Sequence, residues 1–217
     1  MPLEFQVAQD LVMAFPTPIL KIRVPEAAQI NPGLRSQILD RERSEPGQVR
    51  SNVGGWHSND DLLDWPGPEV GALKSWIGRA IQRMTEVTAG KQQQGLNVQL
   101  DGGAWANVLR DGGYNKIHNH PGCSWSGVYY VSLGERRGDI PGNGQIEFLD
   151  PRMGVDFAEL PGMPFAGKHV VEPEPGLMLV FPSWLYHYVN PFHGSGERIT
   201  IAFNVILRIG KGGPATR

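Results

Sequence analysis

Two histidines separated by one residue, His118 and His120, lie directly before an apolar, aromatic-rich segment. In an extended segment alternate side chains point to the same side, so the two imidazoles can bind one metal ion. The pair needs at least one more ligand. His187 is a candidate, because it lies near the end of a second strand-like segment, GLMLVFPSWLYHYVN. These three histidines predict a metal site.

The segment ERITIAFNVILRI follows His187 and alternates polar and apolar residues, which is typical of a strand with one face in the core. The polar or small positions are Arg198, Thr200, Ala202 and Asn204, and the apolar positions are Ile199, Ile201, Phe203 and Val205. This strand therefore presents a cation and a hydroxyl on one face. Together with the histidines it strengthens the metal-site hypothesis.

The rest of the chain indicates the elements that position these residues. From Leu96 onward, short segments such as LNVQL, AWANVL, IHNH and SGVYYVSL are rich in strand-forming residues and are separated by Gly, Pro, Asn and Asp. Upstream, residues 33–43 predict a short helix, and an apolar stripe from Val70 to Val87, behind Pro68, predicts a longer one. This order predicts an α+β, mainly β protein. We expect a jelly roll, or double-stranded β-helix, of about eight core strands, with the helices packed on one outer face.

The length of the chain predicts one domain over residues 1–217. Within it, residues 1–94 would form an N-terminal arm and helices, and residues 95–208 the jelly-roll catalytic core. The long connection at residues 151–168 predicts a lid over the mouth of the barrel. The Gly-rich segment GGWHS contains His57, which we interpret as a hydrogen-bonded loop anchor outside the metal site. Its alternative role is that of a ligand or substrate contact.

Composition excludes several classes of function. The formal net charge is −2 and no basic cluster occurs, so nucleic acid is not an expected partner. No apolar run approaches the roughly 20 residues of a membrane-crossing helix, and no secretory signal pattern occurs, so we expect a cytoplasmic protein. The only cysteine, Cys123, excludes an internal disulfide, and we interpret it as a packed small residue. A small-molecule or protein substrate is expected, and a homodimer is left open.

Four longer segments carry a resemblance to a known superfamily: WANVLRDGGYNKIHNHPGCSWSGVYYVSL, IEFLDPR, PGLMLVFPSWLYHYVNPF and RITIAFNV. They resemble the iron(II)- and 2-oxoglutarate-dependent oxygenases, in particular a prolyl-hydroxylase-like bacterial and phage subfamily. The spacing of Gly112, His118, His120 and Gly127 also resembles the first cupin signature, without the glutamate of that signature. Both resemblances imply the double-stranded β-helix that the strand pattern predicts.

The resemblance implies an Fe(II)- and 2-oxoglutarate-dependent dioxygenase that hydroxylates a substrate. Its metal ligands and catalytic residues would be His118, His120 and His187. The superfamily usually has Asp or Glu at the position of His120, and a three-histidine site resembles certain cupin dioxygenases instead. Two alternatives therefore stay open. One is a cupin-type dioxygenase or isomerase that does not use 2-oxoglutarate, and the other is a non-catalytic metal-binding jelly roll.

The resemblance also implies which residues bind the cosubstrate. Arg198 would pair with the far carboxylate of 2-oxoglutarate, and Thr200 would add a hydroxyl from the same face of the strand. The Tyr130 hydroxyl would reach the same carboxylate, and Asn107 would hold cosubstrate or substrate. Alternatives remain for two of them: Tyr130 packs in the core, and Arg198 forms a surface salt bridge.

Overall fold

The computed structural model describes residues 15–89, 97–152, 154 and 167–210. Two helices lie in these ranges, α1 (Ala27–Ser44) and α2 (Pro68–Ala89), with a short 3-10 helix at Leu62–Asp64 between them. The strands are β1 (Leu20–Arg23), β2 (Asn52–His57), β3 (Asn97–His118), β4 (Trp125–Arg136), β5 (Ile146–Leu149), β6 (Lys168–Val171), β7 (Leu177–Pro182), β8 (His187–Val189) and β9 (Gly194–Gly210). Most of the predicted lid at residues 151–168 lies outside the described residues, as do the first 14 residues of the predicted arm.

Within the described ranges, the nine strands form one antiparallel sheet in the order β1-β7-β4-β9-β3-β8-β5-β6, and β2 also pairs with β3. Two parts of the sheet share β3, because residues 97–109 pair with β9 and residues 115–118 pair with β8. The sheet therefore changes neighbours along β3 and curls into a half-barrel. The predicted fold class, α+β and mainly β with a jelly-roll core, is confirmed.

β3 is longer than the sequence predicts. The segments LNVQL, AWANVL and IHNH were expected to form separate strands, yet residues from all three belong to a single 22-residue strand. Gly102 and Gly103 separate the first two segments in the sequence, but they stay in the ladder opposite Val205 and Asn204 of β9. A Cβ atom added at Gly102 would lie 2.5 Å from the Asn204 carbonyl oxygen. Close packing of the two strands therefore favours glycine at this position.

The two helices pack against each other and against one face of the sheet, as predicted. α1 begins at Ala27 rather than at residue 33, because its buried stripe starts there. α2 begins at Pro68 as predicted, but its buried stripe ends at Met84, since the Val87 side chain is 63% exposed. No described helix is long and apolar enough to cross a membrane.

Alternate residues of the central strands point to opposite faces of the sheet. The apolar positions of β9 predicted above lie in the core beneath the helices, together with Tyr129 and Val131 of β4. Val128 and Tyr130 belong to a second apolar cluster on the other face. Burying one large apolar side chain contributes roughly 1.5–3 kcal/mol. The helix-side core therefore holds the sheet in place, and the other face lines a cavity.

Candidate metal centre

The three predicted histidines meet at one place in the cavity. The candidate ligand atoms of His118, His120 and His187 all lie within 4.8 Å of one another. Their ring centroids are 4.4 to 5.2 Å apart. Among the described residues, no other group of three His, Cys, Asp or Glu side chains is close enough to hold a metal ion. The cluster offers three imidazole ligands, a set that suits iron and other late first-row metals.

Strand pairing explains why two of these rings meet. His118, the last residue of β3, is directly opposite His187, the first residue of β8, and a register shift after Asn115 brings them together. His120 lies beyond the end of β3, so the expectation that alternation along one strand places both histidines is wrong for His120. Its backbone N–H donates to the Ser183 carbonyl oxygen at 2.9 Å, in the turn before β8. Contact between two distant segments therefore completes the cluster.

The Nδ1 atoms of two rings are held by the backbone. His118 Nδ1 lies 2.7 Å from the carbonyl oxygen of Lys116, and His187 Nδ1 lies 2.9 Å from that of Leu185. A carbonyl can only accept, so in the neutral ring Nδ1 carries the proton and donates it. The lone pair of each ring is then on Nε2, where a metal ion can bind it.

His120 is held by a side chain instead. Its Nδ1 lies 3.2 Å from the side-chain amide nitrogen of Asn204, and Ser126 Oγ donates to the amide oxygen of Asn204 at 2.7 Å. If the amide turns over, its oxygen accepts from His120 Nδ1–H and its NH2 group donates to Ser126 Oγ. Asn204 thus orients the one ring that no backbone carbonyl orients.

Burial keeps the three imidazoles neutral. It lowers the pKa of His120 to about 4 and that of His187 to about 3, and it also lowers the pKa of His118. Neutral rings are the form that binds metal ions. At neutral pH the cluster therefore has the protonation state that a metal site needs.

Arg198 is buried in the same cavity, with only 1% of its surface exposed. Its Nε donates to the Gly144 carbonyl oxygen at 3.1 Å, and its guanidinium carbon lies 5.4 Å from the centre of the Tyr130 ring. It forms no ion pair with any described residue. Burial lowers the pKa of Arg198, but a guanidinium stays charged in proteins. The surface salt bridge considered above is therefore wrong, and the cavity contains a buried cation without a counter-ion.

Two further buried polar atoms near this cation have no partner. The Tyr130 hydroxyl and the Asn107 amide oxygen make no hydrogen bond within the described part of the chain. Burial raises the pKa of Tyr130 to about 12, so its hydroxyl stays protonated and can donate. Thr200 is also buried and lies opposite Asn107 in the β3–β9 pair. Buried polar groups that the chain does not pair are available to hydrogen-bond a bound ligand.

One cavity of about 510 Å³ contains all the predicted site residues. We call the part lined by Arg198, Thr200, Tyr130 and Asn107 the Arg198 side. We call the part lined by Arg50, Ser51, His57, Asp60 and Trp105 the β2 side. The Arg198 side is buried, whereas Arg50 and Asp60 are exposed to solvent. A charged cosubstrate therefore fits the Arg198 side, and a molecule that enters from solvent fits the β2 side.

Sequence reasoning missed the β2 side. GGWHS was interpreted as a loop, but it belongs to β2 except for its serine, and His57 pairs with Asn107 of β3. The hydrogen-bonded anchor was a sound expectation, since His57 Nδ1 lies 2.6 Å from the Ser58 carbonyl oxygen. The histidine nevertheless lines the cavity. Gly54 and Gly55 interrupt the alternation of polar and apolar side chains that would indicate a strand. A register shift between Val53 and Gly55 also breaks the regular pairing with β3.

The central part of the chain matches one family model. Residues 103–204 match the model of a family described as "Putative 2OG-Fe(II) oxygenase". No curated protein sequence matches the chain. The matched range includes all seven residues predicted for metal and cosubstrate binding.

Solved structures share the fold at low sequence identity. A prolyl-4-hydroxylase from Pseudomonas putida is 16% identical, with a TM-score of 0.59 over 93% of this chain and 95% of that one. A prolyl hydroxylase from Trichoplax adhaerens, solved with a peptide fragment of hypoxia inducible factor, is 16% identical, with a TM-score of 0.58 over 87% and 83%. HygX from Streptomyces hygroscopicus, solved with nickel, 2-oxoglutarate and hygromycin B, is 15% identical, with a TM-score of 0.55 over 87% and 82%.

Proposed function

We propose that His118, His120 and His187 hold the iron of a 2OG-Fe(II) oxygenase. The match of residues 103–204 to the family model supports this assignment. The chemistry of the donor set fits the metal, because the three rings are neutral and close together. When bound, iron and 2-oxoglutarate supply the oxidising chemistry: one atom of O₂ enters the substrate and the other enters succinate, with release of CO₂.

The observation that carries the cosubstrate assignment is the buried, unpaired guanidinium of Arg198. A buried cation is costly unless an anion pairs with it, and the far carboxylate of 2-oxoglutarate is such an anion. The neutral Tyr130 hydroxyl would donate to the same carboxylate, and Thr200 would add a second hydroxyl. Asn107 would accept a hydrogen bond from bound substrate or cosubstrate through its unpartnered oxygen.

His120 in place of a carboxylate changes the charge of the site. Three neutral imidazoles and Fe(II) carry two positive charges, which the two negative charges of 2-oxoglutarate balance. An aspartate ligand would leave the same complex with one negative charge. We therefore expect a His120→Asp variant to keep iron but to show a lower reduction potential, and a His120→Ala variant to lose iron occupancy.

A cupin-type enzyme that does not use 2-oxoglutarate would also suit three histidines. Such an enzyme would leave Arg198, the Tyr130 hydroxyl and the Asn107 oxygen without a function in the cavity. The buried cation therefore favours the 2-oxoglutarate-dependent reaction. Both small molecules and peptides suit the fold as substrates, since neighbours were solved with hygromycin B and with a peptide.

Calorimetry and a succinate assay test the proposal together. The protein is loaded with Zn(II), and 2-oxoglutarate is titrated into the loaded and the metal-free forms; we expect tight binding only to the loaded form. With Fe(II), ascorbate and 2-oxoglutarate, succinate should form slowly even without substrate. Consumption of O₂ that is independent of 2-oxoglutarate would contradict the proposal and favour the cupin-type alternative.

A further inference from the structure

We propose that the β2 side of the cavity binds a free α-amino acid, whose ammonium group meets His57 and Asp60, whose carboxylate meets Arg50, and whose side chain packs on Trp105. The inference rests on the proposed oxygenase function and adds its substrate class. It starts from the part of the cavity that the metal and cosubstrate assignments do not use.

His57 is the strongest single observation. Its side chain is buried, with 4% of the residue exposed, and it lines the cavity. Nδ1 is held by the Ser58 carbonyl oxygen at 2.6 Å, and Nε2 makes no hydrogen bond with any described residue. Burial lowers the pKa of His57, so the ring is neutral and Nε2 accepts a hydrogen bond. His57 Nε2 is therefore a fixed acceptor that can take a hydrogen bond from a ligand, for example from an ammonium N–H.

Trp105 links this acceptor to the candidate metal centre. Its ring stacks on His57 with centroids 5.4 Å apart and planes 12° apart, and its centroid lies 5.8 Å from that of His120. The half-buried indole gives the β2 side an apolar surface next to a candidate iron ligand. A hydrocarbon side chain that packs on Trp105 would present its C–H bonds close to the candidate metal centre.

Two opposite charges complete the β2 side. Among the described residues, the Arg50 guanidinium hydrogen-bonds only to the Gln48 side-chain oxygen, at 2.8 and 3.1 Å. The Asp60 carboxylate forms no ion pair or side-chain hydrogen bond within the described part of the chain. Both residues line the cavity, on the loops that flank β2. One anion and one cation that are not paired with each other suit a ligand with one charge of each sign.

The pair of charges distinguishes a free amino acid from a residue within a peptide. A residue inside a polypeptide has neither an ammonium group nor a carboxylate on its backbone, so it would leave Arg50 and Asp60 unused. The cavity of about 510 Å³ also lies in the range of small-molecule pockets. We therefore favour the small zwitterion over the peptide.

Calorimetry on the Zn(II)-loaded protein, with and without 2-oxoglutarate, tests the proposal directly. The probes are the proteinogenic L-amino acids and, for each one that binds, its N-acetyl methylamide, which lacks both charges. We expect at least one apolar amino acid to bind and its derivative to bind at least about 10-fold more weakly, since two charge-assisted contacts are lost. The same amino acid should raise succinate formation and gain 16 Da in the mass spectrum.

Variants assign the three polar contacts. Asp60→Asn, Arg50→Gln and His57→Phe should each weaken amino-acid binding by about 10-fold, while affinities for Zn(II) and 2-oxoglutarate stay unchanged. His57→Phe keeps an aromatic ring for stacking on Trp105 and removes only the acceptor. Asp40→Asn and Arg43→Gln are matched controls, because this exposed pair lies on α1 outside the cavity lining. These controls should leave every affinity unchanged.

The proposal is overturned if no free amino acid binds at millimolar concentration, or if the uncharged derivatives bind as well as the free forms. The second result would favour a peptide substrate. Failure of 2-oxoglutarate to bind the metal-loaded protein would instead count against the proposed oxygenase function. Amino-acid binding is also measured without 2-oxoglutarate. Failure of the amino-acid proposal can therefore be distinguished from failure of the proposed oxygenase function.

Discussion

Tyr129 and Tyr130 are adjacent on β4 and point to opposite faces of the sheet, and their hydroxyl groups differ in hydrogen bonding. Both side chains are fully buried. On the helix side, the Tyr129 hydroxyl donates to the Asn31 amide oxygen at 2.6 Å, and Asn31 donates to the Val131 carbonyl oxygen at 3.0 Å. On the cavity side, the Tyr130 hydroxyl has no partner among the described residues, and neither does the charge of Arg198.

Within one strand, the helix-side face therefore contributes to stability, and the cavity-side face provides groups for ligand binding. On the helix side the Tyr129 hydroxyl and the Asn31 amide are satisfied within the protein, so these two groups need no ligand. On the cavity side, each unsatisfied buried group destabilises the fold by about 1–3 kcal/mol, and a buried charge by more. A ligand that pairs with these groups would offset that cost, and the far carboxylate of 2-oxoglutarate is the ligand proposed above.

The largest effect should come from the metal ligands on the cavity side. His118→Ala and His187→Ala should each lower metal affinity by more than about 100-fold and abolish turnover, because two imidazoles hold iron poorly. Metal content after dialysis, measured by mass spectrometry, checks this. His169→Ala is the control, since His169 lies on β6 outside the cavity lining. Full metal occupancy in His187→Ala would exclude His187 as a ligand.

Arg198 should give the next largest effect and the sharpest contrast between stability and function. Arg198→Met should weaken 2-oxoglutarate binding by about 2–5 kcal/mol with metal content unchanged. The free energy of unfolding without ligand should stay equal or rise, because a buried unpaired charge is replaced by an apolar side chain. Calorimetry and urea denaturation measure the two quantities.

Arg35→Ala is the matched control for this prediction. Arg35 forms an exposed ion pair with Glu197, the residue next to Arg198 in the sequence. Its loss should change neither 2-oxoglutarate binding nor, beyond about 1 kcal/mol, stability. Unchanged 2-oxoglutarate affinity in Arg198→Met would remove the cosubstrate assignment.

Substitution of Asn204 should have a smaller effect, and it should change only the metal affinity. Asn204→Leu removes the partner of His120 Nδ1 and should lower metal affinity by about 10- to 100-fold. Asn204→Asp keeps an acceptor for Nδ1–H and should restore most of that affinity. Titration with Co(II), followed through its visible absorption, measures both variants without turnover. Equal affinities in the two variants would mean that Asn204 does not orient the ring.

Substitution of the two tyrosines should have the smallest effects, but it tests the difference between the two faces of β4 most directly. Tyr129→Phe should lower the free energy of unfolding by about 1 kcal/mol or more, because Asn31 loses its donor. Tyr130→Phe should leave stability equal or slightly higher and should weaken 2-oxoglutarate binding by about 1 kcal/mol. Equal destabilisation by both changes would show that the Tyr130 hydroxyl has a structural role.

The sequence determined the features that depend on neighbours along the chain. The alternation in β9 assigned Ile199, Ile201 and Phe203 to the core, and the stripe behind Pro68 predicted α2 almost to its end. The spacing of His118 and His120 and the motifs around them indicated the superfamily, which the family match supports. Periodicity and spacing are local properties, so a sequence displays them directly. The roles of the individual site residues stay predictions.

Only the tertiary structure decided which distant groups meet and which groups lack a partner. His120 is positioned by Ser183 and Asn204, which lie more than 60 residues away in the sequence. His57 enters the cavity because β2 pairs with β3, and no pattern in its own Gly-rich segment predicts that pairing. Arg198 has no ion pair with any described residue, because none of the elements packed around it places an acidic side chain beside its guanidinium. Such facts depend on long-range packing, which residue types and spacing along the chain do not specify.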